Sequence, residues 1–430
     1  MLLRITTFCM TLVRSSGFSG PASATPDSGS LSVQRVTNGA IGMPPVSVEA
    51  ETPRSYLTVL EFYSGIGGLR VSLEAAVEAA NLRARLETRV TSFDINTVAN
   101  SVYEHNFSRC RVTRRSIEHL TQKDVDGAAD IWLLSPPCQP FCRGGKQMDE
   151  ADNRSASLVH LLSLLKKIEN PPAYVFLENV RGFENSKAHR RLLETLSARG
   201  FSVEQYLVSP VQVGIPNTRL RYYCLASKRR QDADGMVFPV QEMLPANSFP
   251  GYQHQREVVQ LRPLAEYLDL SLAGDAALPL ILSQKERSHA NPSLRFDVVT
   301  LRSTETTTFT KGYGKHAGRA GPVILLTDDG ERRVSSERLD RFPAGLDLGP
   351  EGRDLRWFSD REMLRVHGYP DTFEFPPGLS LRQRFALIGN SVNVEVIALL
   401  LRRLLFSRQQ RAMGEPFEND VAFPSEDDFA

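Results

Sequence analysis

The sequence predicts an α/β fold: a largely parallel sheet with helices between its strands, plus a small, mostly irregular second domain. Three observations predict it. Short apolar, β-rich segments alternate with segments of helical periodicity through the first half of the chain, which is typical of βαβ units. Glycine or polar residues follow several of these strands, where parallel sheets bind their ligands. Between about residues 229 and 305 the alternation gives way to stretches containing Pro, Gln and His.

The predicted elements follow one another as strands and helices, then a hairpin. In chain order they are strand 56–63, helix 69–80, strand 89–93, helix 97–105, strands 130–134 and 173–177, helix 187–199 and strands 201–208 and 221–226. The last two strands, joined by a turn-rich segment, predict an antiparallel hairpin at the sheet edge. Order resumes near Thr306. Further on, Ser359 is expected to cap a helix through His367, and residues 392–405 form an apolar helix. The charged stretch 328–354 is expected to be an exposed loop.

Composition and charge describe an ordinary globular protein. The chain has 430 residues, 41% of them hydrophobic, and a net charge of +1, so nucleic-acid binding would require a local basic surface. The five cysteines are scattered without paired CxxC units, which favours a reducing compartment and no structural metal. No apolar run approaches the roughly 18 residues that span a bilayer. We therefore expect no membrane contact, a monomer, and a cytoplasmic location, with the nucleus left open.

The first 54 residues form a separate segment. They are rich in Ser, Thr, Gly and Pro, carry Arg4, Arg14 and Arg35, and contain no acidic residue before Asp27. A disordered extension is the favoured interpretation. An organellar targeting sequence is the alternative, although two early prolines interrupt any long amphipathic helix.

The glycine turn after the first strand indicates a cofactor site. Gly65, Gly67 and Gly68 allow the backbone to approach a ligand closely at a helix N-terminus. Asp94, at the end of the next strand, is placed to hold ribose hydroxyls. A dinucleotide fingerprint would need glycine where the chain has Arg70, so a nicotinamide cofactor is disfavoured. The turn predicts a different nucleoside-bearing cofactor; a plain tight turn is the alternative.

Pro136 and Pro137 lead into Cys138 at the end of a strand, the strongest sign of catalysis in the chain. Two prolines stiffen the approach to a thiol, and a strand end suits a projecting nucleophile better than a buried apolar residue. Only a thiolate attacks, so the site must lower the pKa of the thiol or accept its proton. We predict that Cys138 is a nucleophile, against the alternative of a core cysteine.

Other polar residues are expected to converge on this edge. Glu178 follows the next strand and can donate a proton; the alternative is a capping or ion-paired carboxylate. Arg219 and Arg221 lie two apart on an apparent strand, so both should face one side and contact phosphate or a base. A solvated edge strand is the alternative there. Asn390 and Ser391 open the apolar helix, which they are expected to cap while reaching the cofactor.

Together these residues resemble the DNA/RNA cytosine-C5 methyltransferases. The ordered motifs are Phe62–Gly68, Asp94, Pro136–Gln139, Glu178–Val180, Arg219–Arg221 and Gly389–Val392. The resemblance covers residues 56 to about 406. Within the superfamily the sequence is most similar to the Dnmt2 branch, the tRNA-aspartate methyltransferases. That likeness rests on Asp94–Asn100, Ile215–Tyr222 and Phe309–Gly314.

The resemblance implies a Rossmann-like S-adenosylmethionine-dependent methyltransferase sheet with a small target-recognition domain. It implies methylation at C5 of cytosine 38 in the anticodon loop of tRNA-Asp. The positions that match cofactor-contacting residues are Ile66, Gly67, Gly68, Asp94, Ile117, Glu118, Ser135 and Ser391. Those that match the catalytic set are Cys138, Glu178, Arg219 and Arg221. The branch-specific segment implies substrate binding by Lys311 and Tyr313.

The same resemblance sets the domain plan. It consists of an extension (1–54), a catalytic domain in two parts (55–228 and 306–408), a target-recognition domain (229–305) and an acidic disordered tail (409–430). The chain departs from the branch twice, with Thr308 in place of a cysteine and Cys142 in place of a threonine. Two alternatives to the tRNA substrate remain open: a DNA (cytosine-5) methyltransferase and a catalytically weak nucleic-acid-binding homologue.

Overall fold

A mixed sheet of eight strands lies at the centre of the described chain. The computed structural model describes residues 55–83, 86–108, 110–137, 156–228, 236–242, 260–269, 271–272, 278–282, 297–315, 320–325 and 355–412. The sheet strands are β1 (Ser55–Phe62), β2 (Leu86–Phe93), β3 (Arg111–Thr113), β4 (Ile131–Leu134), β5 (Tyr174–Val180), β6 (Ser202–Val208), β7 (Arg221–Ser227) and β8 (Val237–Gln241). Their order is β3-β2-β1-β4-β5-β7-β6-β8. The predictions for Cys138, for the 328–354 loop and for both termini fall outside the described residues.

Parallel pairing joins β3, β2, β1, β4 and β5, whereas β7 runs antiparallel between β5 and β6. The predicted hairpin is therefore confirmed as a β6–β7 pair. Its predicted place at the sheet edge is wrong, because β8 pairs in parallel with β6 and covers that edge. β8 lies within residues 229–305, the segment predicted to form the recognition domain, so this part of the segment belongs to the main sheet. A smaller sheet contains β9 (Val298–Val299), β10 (Val323–Leu325) and β11 (Leu355–Arg356).

Helices cover both faces of the large sheet. They are α1 (Gly68–Ala79), α2 (Thr97–Asn106), α3 (Gln122–Val125), α4 (Ala156–Lys167), α5 (Lys187–Ala198), α6 (Asp360–Val366), α7 (Leu381–Gly389) and α8 (Val394–Ala412). Ser359 caps α6, as expected, by accepting a hydrogen bond from the backbone N–H of Glu362 at 3.1 Å. β3, α3, α4, α7, β8 and the three strands of the smaller sheet are additions to the predicted elements.

Alternation along β1 divides the core into two layers. Val59 packs with α1, α2 and α8, whereas Leu60 and Phe62 face the opposite side with α4 and α5. α8 packs on α1. The segment Leu381–Phe406 is long and apolar enough by composition to cross a membrane, but 61% of its most apolar stretch is buried inside the fold. That burial is the pattern of a core helix.

Candidate active site

Four neighbouring strands align near their carboxyl ends and bring three of the predicted site residues, Asp94, Ser135 and Glu178, to one edge of the sheet. Phe62 of β1 is in register with Phe93 of β2 and with Leu134 of β4, and Leu134 is in register with Leu177 of β5. The residues that come next along these strands are Tyr63, Asp94, Ser135 and Glu178. The expected convergence at the carboxyl ends of the strands is therefore observed.

Asp94 holds the glycine turn in place. Its Oδ2 accepts a hydrogen bond from the Gly65 N–H at 2.8 Å, and its Oδ1 accepts one from the Asn96 N–H at 2.8 Å. A carboxylate has about four acceptor positions, so Asp94 keeps capacity for ribose hydroxyls. The turn uses left-handed backbone at Gly65 (φ 52°), at Gly67 (φ 90°) and at Tyr63 (φ 59°). Left-handed backbone at a tyrosine is uncommon and marks the turn as constrained.

The three glycines serve different purposes. A β-carbon on Gly65 would meet nothing within 4 Å, so this face of the turn is open to a ligand. At Gly67 it would lie 2.4 Å from Phe107 Cε2, and at Gly68 it would lie 2.6 Å from Val392 Cγ2. Gly67 and Gly68 are therefore required by packing against the protein itself, and Gly65 faces the open space.

Ile95 supplies an apolar surface beside Asp94. Its side chain is 71% exposed, the highest value among the exposed large hydrophobic side chains of the described residues. An exposed apolar group next to a carboxylate with free acceptor positions could pack on the face of a purine ring. The sequence signal for it was an isoleucine directly after Asp94.

The other predicted cofactor residues divide into lining and support. Ser135 donates a hydrogen bond from its hydroxyl to the carbonyl of Tyr63 at 3.0 Å, which joins the end of β4 to the glycine turn. Ile66 and Ile117 are buried, so they can offer only an edge to a ligand. Glu118 is exposed in a short 3₁₀ turn, and its carboxylate accepts a hydrogen bond from Ser116.

Asn390 and Ser391 do not cap α8, so that prediction is wrong. Asn390 is the exposed C-cap of α7, and Asn393 caps α8 by accepting a hydrogen bond from the Val396 N–H at 3.1 Å. Ser391 is buried and does reach the glycine turn. Its Oγ would lie 3.0 Å from a β-carbon on Gly68.

Glu178 is a buried carboxyl in a positively charged setting. It lies within β5, two residues before the strand ends at Val180, instead of after the strand, and only 8% of its surface is exposed. Burial raises its pKa above the ordinary value, and the charges of Arg221 and Arg219 act in the opposite direction. Arg221 Nε lies 3.5 Å from Glu178 Oε1. A carboxyl group with a raised pKa is protonated at higher pH than an ordinary glutamate, which suits it to share a proton with a ring nitrogen or to donate one to it.

Asn179 connects the acid to the proline loop. Its Nδ2 donates a hydrogen bond to the carbonyl of Pro136 at 3.2 Å. The bond places the approach to Cys138 beside Glu178. The sequence placed Asn179 in the Glu178–Val180 motif but gave no sign of this bond.

Arg219 is placed differently from the prediction. β7 begins at Arg221, so the two arginines do not share a strand face. Arg219 is buried, and its guanidinium donates to the carbonyl of Phe309 at 3.3 Å and to the carbonyl of Ser391. These backbone contacts replace the expected contact with phosphate or base. Arg221 is half-buried and adjacent to Glu178, in a position to reach a substrate.

Lys311 and Tyr313, the two predicted substrate-binding residues, have different environments. Lys311 is exposed, as a substrate-binding residue should be. Tyr313 is 1% exposed; its hydroxyl donates to the carbonyl of Pro322 at 2.8 Å and accepts from the N–H of Phe358 at 2.8 Å. Tyr313 therefore belongs to the framework, and direct substrate contact by its side chain is not supported. Among the residues that the structure describes, no group of His, Cys, Asp and Glu is arranged to hold a metal ion.

Known proteins resemble this chain over most of its length. A family model described as C-5 cytosine-specific DNA methylase matches residues 57–405. The mouse tRNA (cytosine(38)-C(5))-methyltransferase is 32% identical, over 80% of this chain and 92% of that protein. A Dictyostelium discoideum protein named DNA (cytosine-5)-methyltransferase is 33% identical, over 82% of this chain and 96% of that protein. The solved structure of Schizosaccharomyces pombe Dnmt2 methyltransferase superposes with a TM-score of 0.63 at 28% identity, covering 82% of this chain and 98% of that one.

Proposed function

This chain belongs to the C-5 cytosine-specific DNA methylase family, and we propose that it transfers a methyl group from S-adenosylmethionine to C5 of a cytosine in RNA. The proposed target is cytosine 38 in the anticodon loop of tRNA-Asp. Relatives at 30–32% identity are named for that position in tRNA. The observation that carries the chemistry is Glu178, a buried carboxyl with a raised pKa, beside Arg221 and the loop that leads to Cys138.

The residues at the strand ends fit the proposed cofactor. Gly65 leaves open space beside the turn, Asp94 retains acceptor capacity, and Ile95 exposes an apolar surface next to it. S-adenosylmethionine would supply an electrophilic methyl group on a sulfonium centre. Gly65, Asp94 and Ile95 would hold its nucleoside, while Ser391 borders the glycine turn from the other side.

The proposed reaction requires a nucleophile, an acid and a cation. The Cys138 thiolate adds to C6 of cytosine and pushes electrons toward N3, where Glu178 donates a proton or a hydrogen bond. C5 would then take the methyl group, with S-adenosylhomocysteine as the leaving group. A base removes the C5 proton, the proton on N3 returns to Glu178, and the Cys138 thiolate leaves. The positive charge of Arg221 stabilises the Glu178 carboxylate after it has given up its proton, and the guanidinium can donate hydrogen bonds to a polar edge of the base.

Two considerations favour RNA over DNA as the substrate. A base in an anticodon loop is already partly unstacked, so extruding it costs less than opening a duplex. The segment between the β6–β7 hairpin, which ends at Ser227, and Thr306 is 78 residues long, which is short for reading a duplex. DNA remains the second candidate because one relative is named a DNA (cytosine-5)-methyltransferase.

A methyl-transfer assay tests the proposal. Purified full-length protein is incubated with labelled S-adenosylmethionine and one of three substrates: a tRNA-Asp transcript, the same transcript with uridine at position 38, or duplex DNA. We expect label only in the first. Label in DNA alone would exclude the tRNA substrate, and label in none would support a weak nucleic-acid-binding homologue.

Two variants test the mechanism in the same assay. Cys138→Ala should abolish transfer, and retained transfer would contradict nucleophilic catalysis. Glu178→Gln should lower the rate constant about a hundredfold or more, the usual contribution of a general acid. An unchanged rate for Glu178→Gln would remove the carboxyl from the mechanism.

A further inference from the structure

Tyr369 contacts the cofactor side of the site without belonging to any predicted motif. It lies just after α6, is 4% exposed, and its hydroxyl is hydrogen-bonded to the hydroxyl of Ser391. A β-carbon on Gly68 would lie 2.7 Å from the Tyr369 Oη and 3.0 Å from the Ser391 Oγ. The two hydroxyls therefore pack directly against the first residue of α1, at the glycine turn.

The backbone of Ser391 is already fixed on both sides. Its N–H donates to the carbonyl of Ile388 at 2.8 Å, and its carbonyl accepts from the guanidinium of Arg219. What these bonds leave free is the side-chain rotamer, since a serine hydroxyl can adopt three staggered positions. The hydrogen bond with Tyr369 selects the rotamer in which Oγ lies at Gly68.

The tyrosine is suited to this task. Its ring packs against Phe373, with ring centroids 4.7 Å apart, so the position of the hydroxyl is set by the core. Burial raises the pKa of Tyr369, so the hydroxyl stays protonated and neutral at physiological pH. A hydroxyl offers one donor and two acceptor positions, which leaves Ser391 with capacity for a ligand after bonding Tyr369.

We propose that Tyr369 is a positioning residue for the cofactor: its hydroxyl holds the Ser391 hydroxyl at the glycine turn, ready to bond the ligand. This inference rests on the proposed function, since Ser391 acts here as a cofactor contact. Tyr369 itself touches Ser391 and does not need to touch the cofactor or the base.

The test is a double-mutant cycle on cofactor affinity. Calorimetry gives the Kd of S-adenosylhomocysteine for the full-length wild type, Tyr369→Phe, Ser391→Ala and the double variant. Tyr369→Phe keeps the ring and removes only the hydroxyl. Losing one hydrogen bond of ordinary strength should weaken binding about five- to tenfold. If Tyr369 acts through Ser391, then the double variant should bind no more weakly than Ser391→Ala alone.

A matched control separates positioning from general loss of stability. Tyr206 is also buried, and its hydroxyl donates to Glu204 at 2.7 Å, but it lies on β6, which three strands separate from β1 in the sheet order. Tyr206→Phe should leave the Kd unchanged. In turnover assays Tyr369→Phe should raise KM for S-adenosylmethionine by the same factor as the Kd, with kcat and KM for tRNA within about twofold of wild type.

The outcomes distinguish the inference from the function on which it rests. A wild-type protein that does not bind S-adenosylhomocysteine would overturn both. Wild-type binding with an unchanged Kd in Tyr369→Phe would overturn the positioning role alone, as would additive losses in the double variant. If Tyr369→Phe does not fold, an unchanged Kd in Ser391→Ala overturns the inference, because the hydroxyl that Tyr369 holds would then contribute nothing.

Discussion

Glu61 gives a prediction whose size follows from the structure. It lies on β1 with no exposed surface, where its carboxylate accepts hydrogen bonds from the Tyr103 hydroxyl at 2.7 Å and from the Arg70 N–H at 3.3 Å. Burial nevertheless raises its pKa from 4.5 to about 7. The perturbation is Glu61→Gln, which keeps the shape of the side chain and removes the titration.

The sign and size of the pH-dependent stability change follow from the difference in pKa between the folded and unfolded states. The folded protein holds the Glu61 proton more tightly than the unfolded chain, so this contribution to stability is present below pH 4.5 and is lost as pH rises to about 7. A pKa difference between 4.5 and 7, at about 1.4 kcal/mol for each pH unit, corresponds to roughly 3 kcal/mol in total. Most of it, about 2 to 3 kcal/mol, is lost between pH 5 and pH 8.

Urea unfolding of the wild type and of Glu61→Gln at pH 5, pH 6.5 and pH 8 measures this effect. Other titrating groups are common to both proteins, so the difference in unfolding free energy isolates Glu61. We expect Glu61→Gln to gain about 2 to 3 kcal/mol on the wild type between pH 5 and pH 8. A difference that stays constant across this range would show that Glu61 is ionised in the folded protein, and the reasoning would fail.

Three further predictions concern buried positions near the site. His367 donates a hydrogen bond from Nδ1 to the Met363 carbonyl, and burial lowers its pKa to about 3. The stability that neutral His367 contributes is therefore lost as pH falls below 6.5. From pH 7.5 to pH 5.5, urea unfolding should show that the wild type loses about 1 to 2 kcal/mol of unfolding free energy relative to His367→Gln. Parallel curves for the two proteins would contradict this. Gly68→Ala should destabilise the protein by about 1 to 3 kcal/mol, since the close contact with Val392 outweighs the better helix propensity of alanine. Calorimetry should also show weaker binding of S-adenosylhomocysteine. A variant more stable than the wild type would refute the steric argument. Tyr313→Phe should cost about 1 to 3 kcal/mol of stability and leave KM for tRNA unchanged. A raised KM for tRNA at unchanged stability would instead support the predicted substrate contact by Tyr313.

The sequence predicted the parallel part of the fold because its signals are local. Each predicted strand up to β5 is a short apolar run beside a helical segment, and the row of strand ends follows from parallel pairing alone. The position of the β6–β7 hairpin depends on β8, which pairs with β6 from beyond residues 229–235. No periodicity within the hairpin could indicate that partner.

At the site, the sequence could place residues along the strands but could not predict the direction of every side chain. Asp94 could be placed because it directly follows the end of β2, and Glu178 because it lies close to the carboxyl end of β5. Arg219 could not, since it precedes β7 and its carbonyl partners, Phe309 and Ser391, lie 90 and 172 residues further along the chain. Tyr313 presents the same difficulty: an aromatic residue between two glycines, Gly312 and Gly314, gives no sign of whether its hydroxyl faces a ligand or a buried carbonyl.

The bonds of Arg219 explain why the two arginines must have different roles. One guanidinium donates to the segment that carries Lys311, through Phe309, and to the segment that borders the glycine turn, through Ser391. A planar fork with several donors can hold both carbonyls at once, which the single ammonium of lysine cannot do with the same geometry. Because Arg219 is buried and committed to these contacts, the proposed mechanism assigns contact with the base to Arg221, the half-buried arginine beside Glu178. In that proposal the acid and the cation that faces the base are adjacent, while Arg219 joins the segment of Lys311 to the segment that borders the glycine turn.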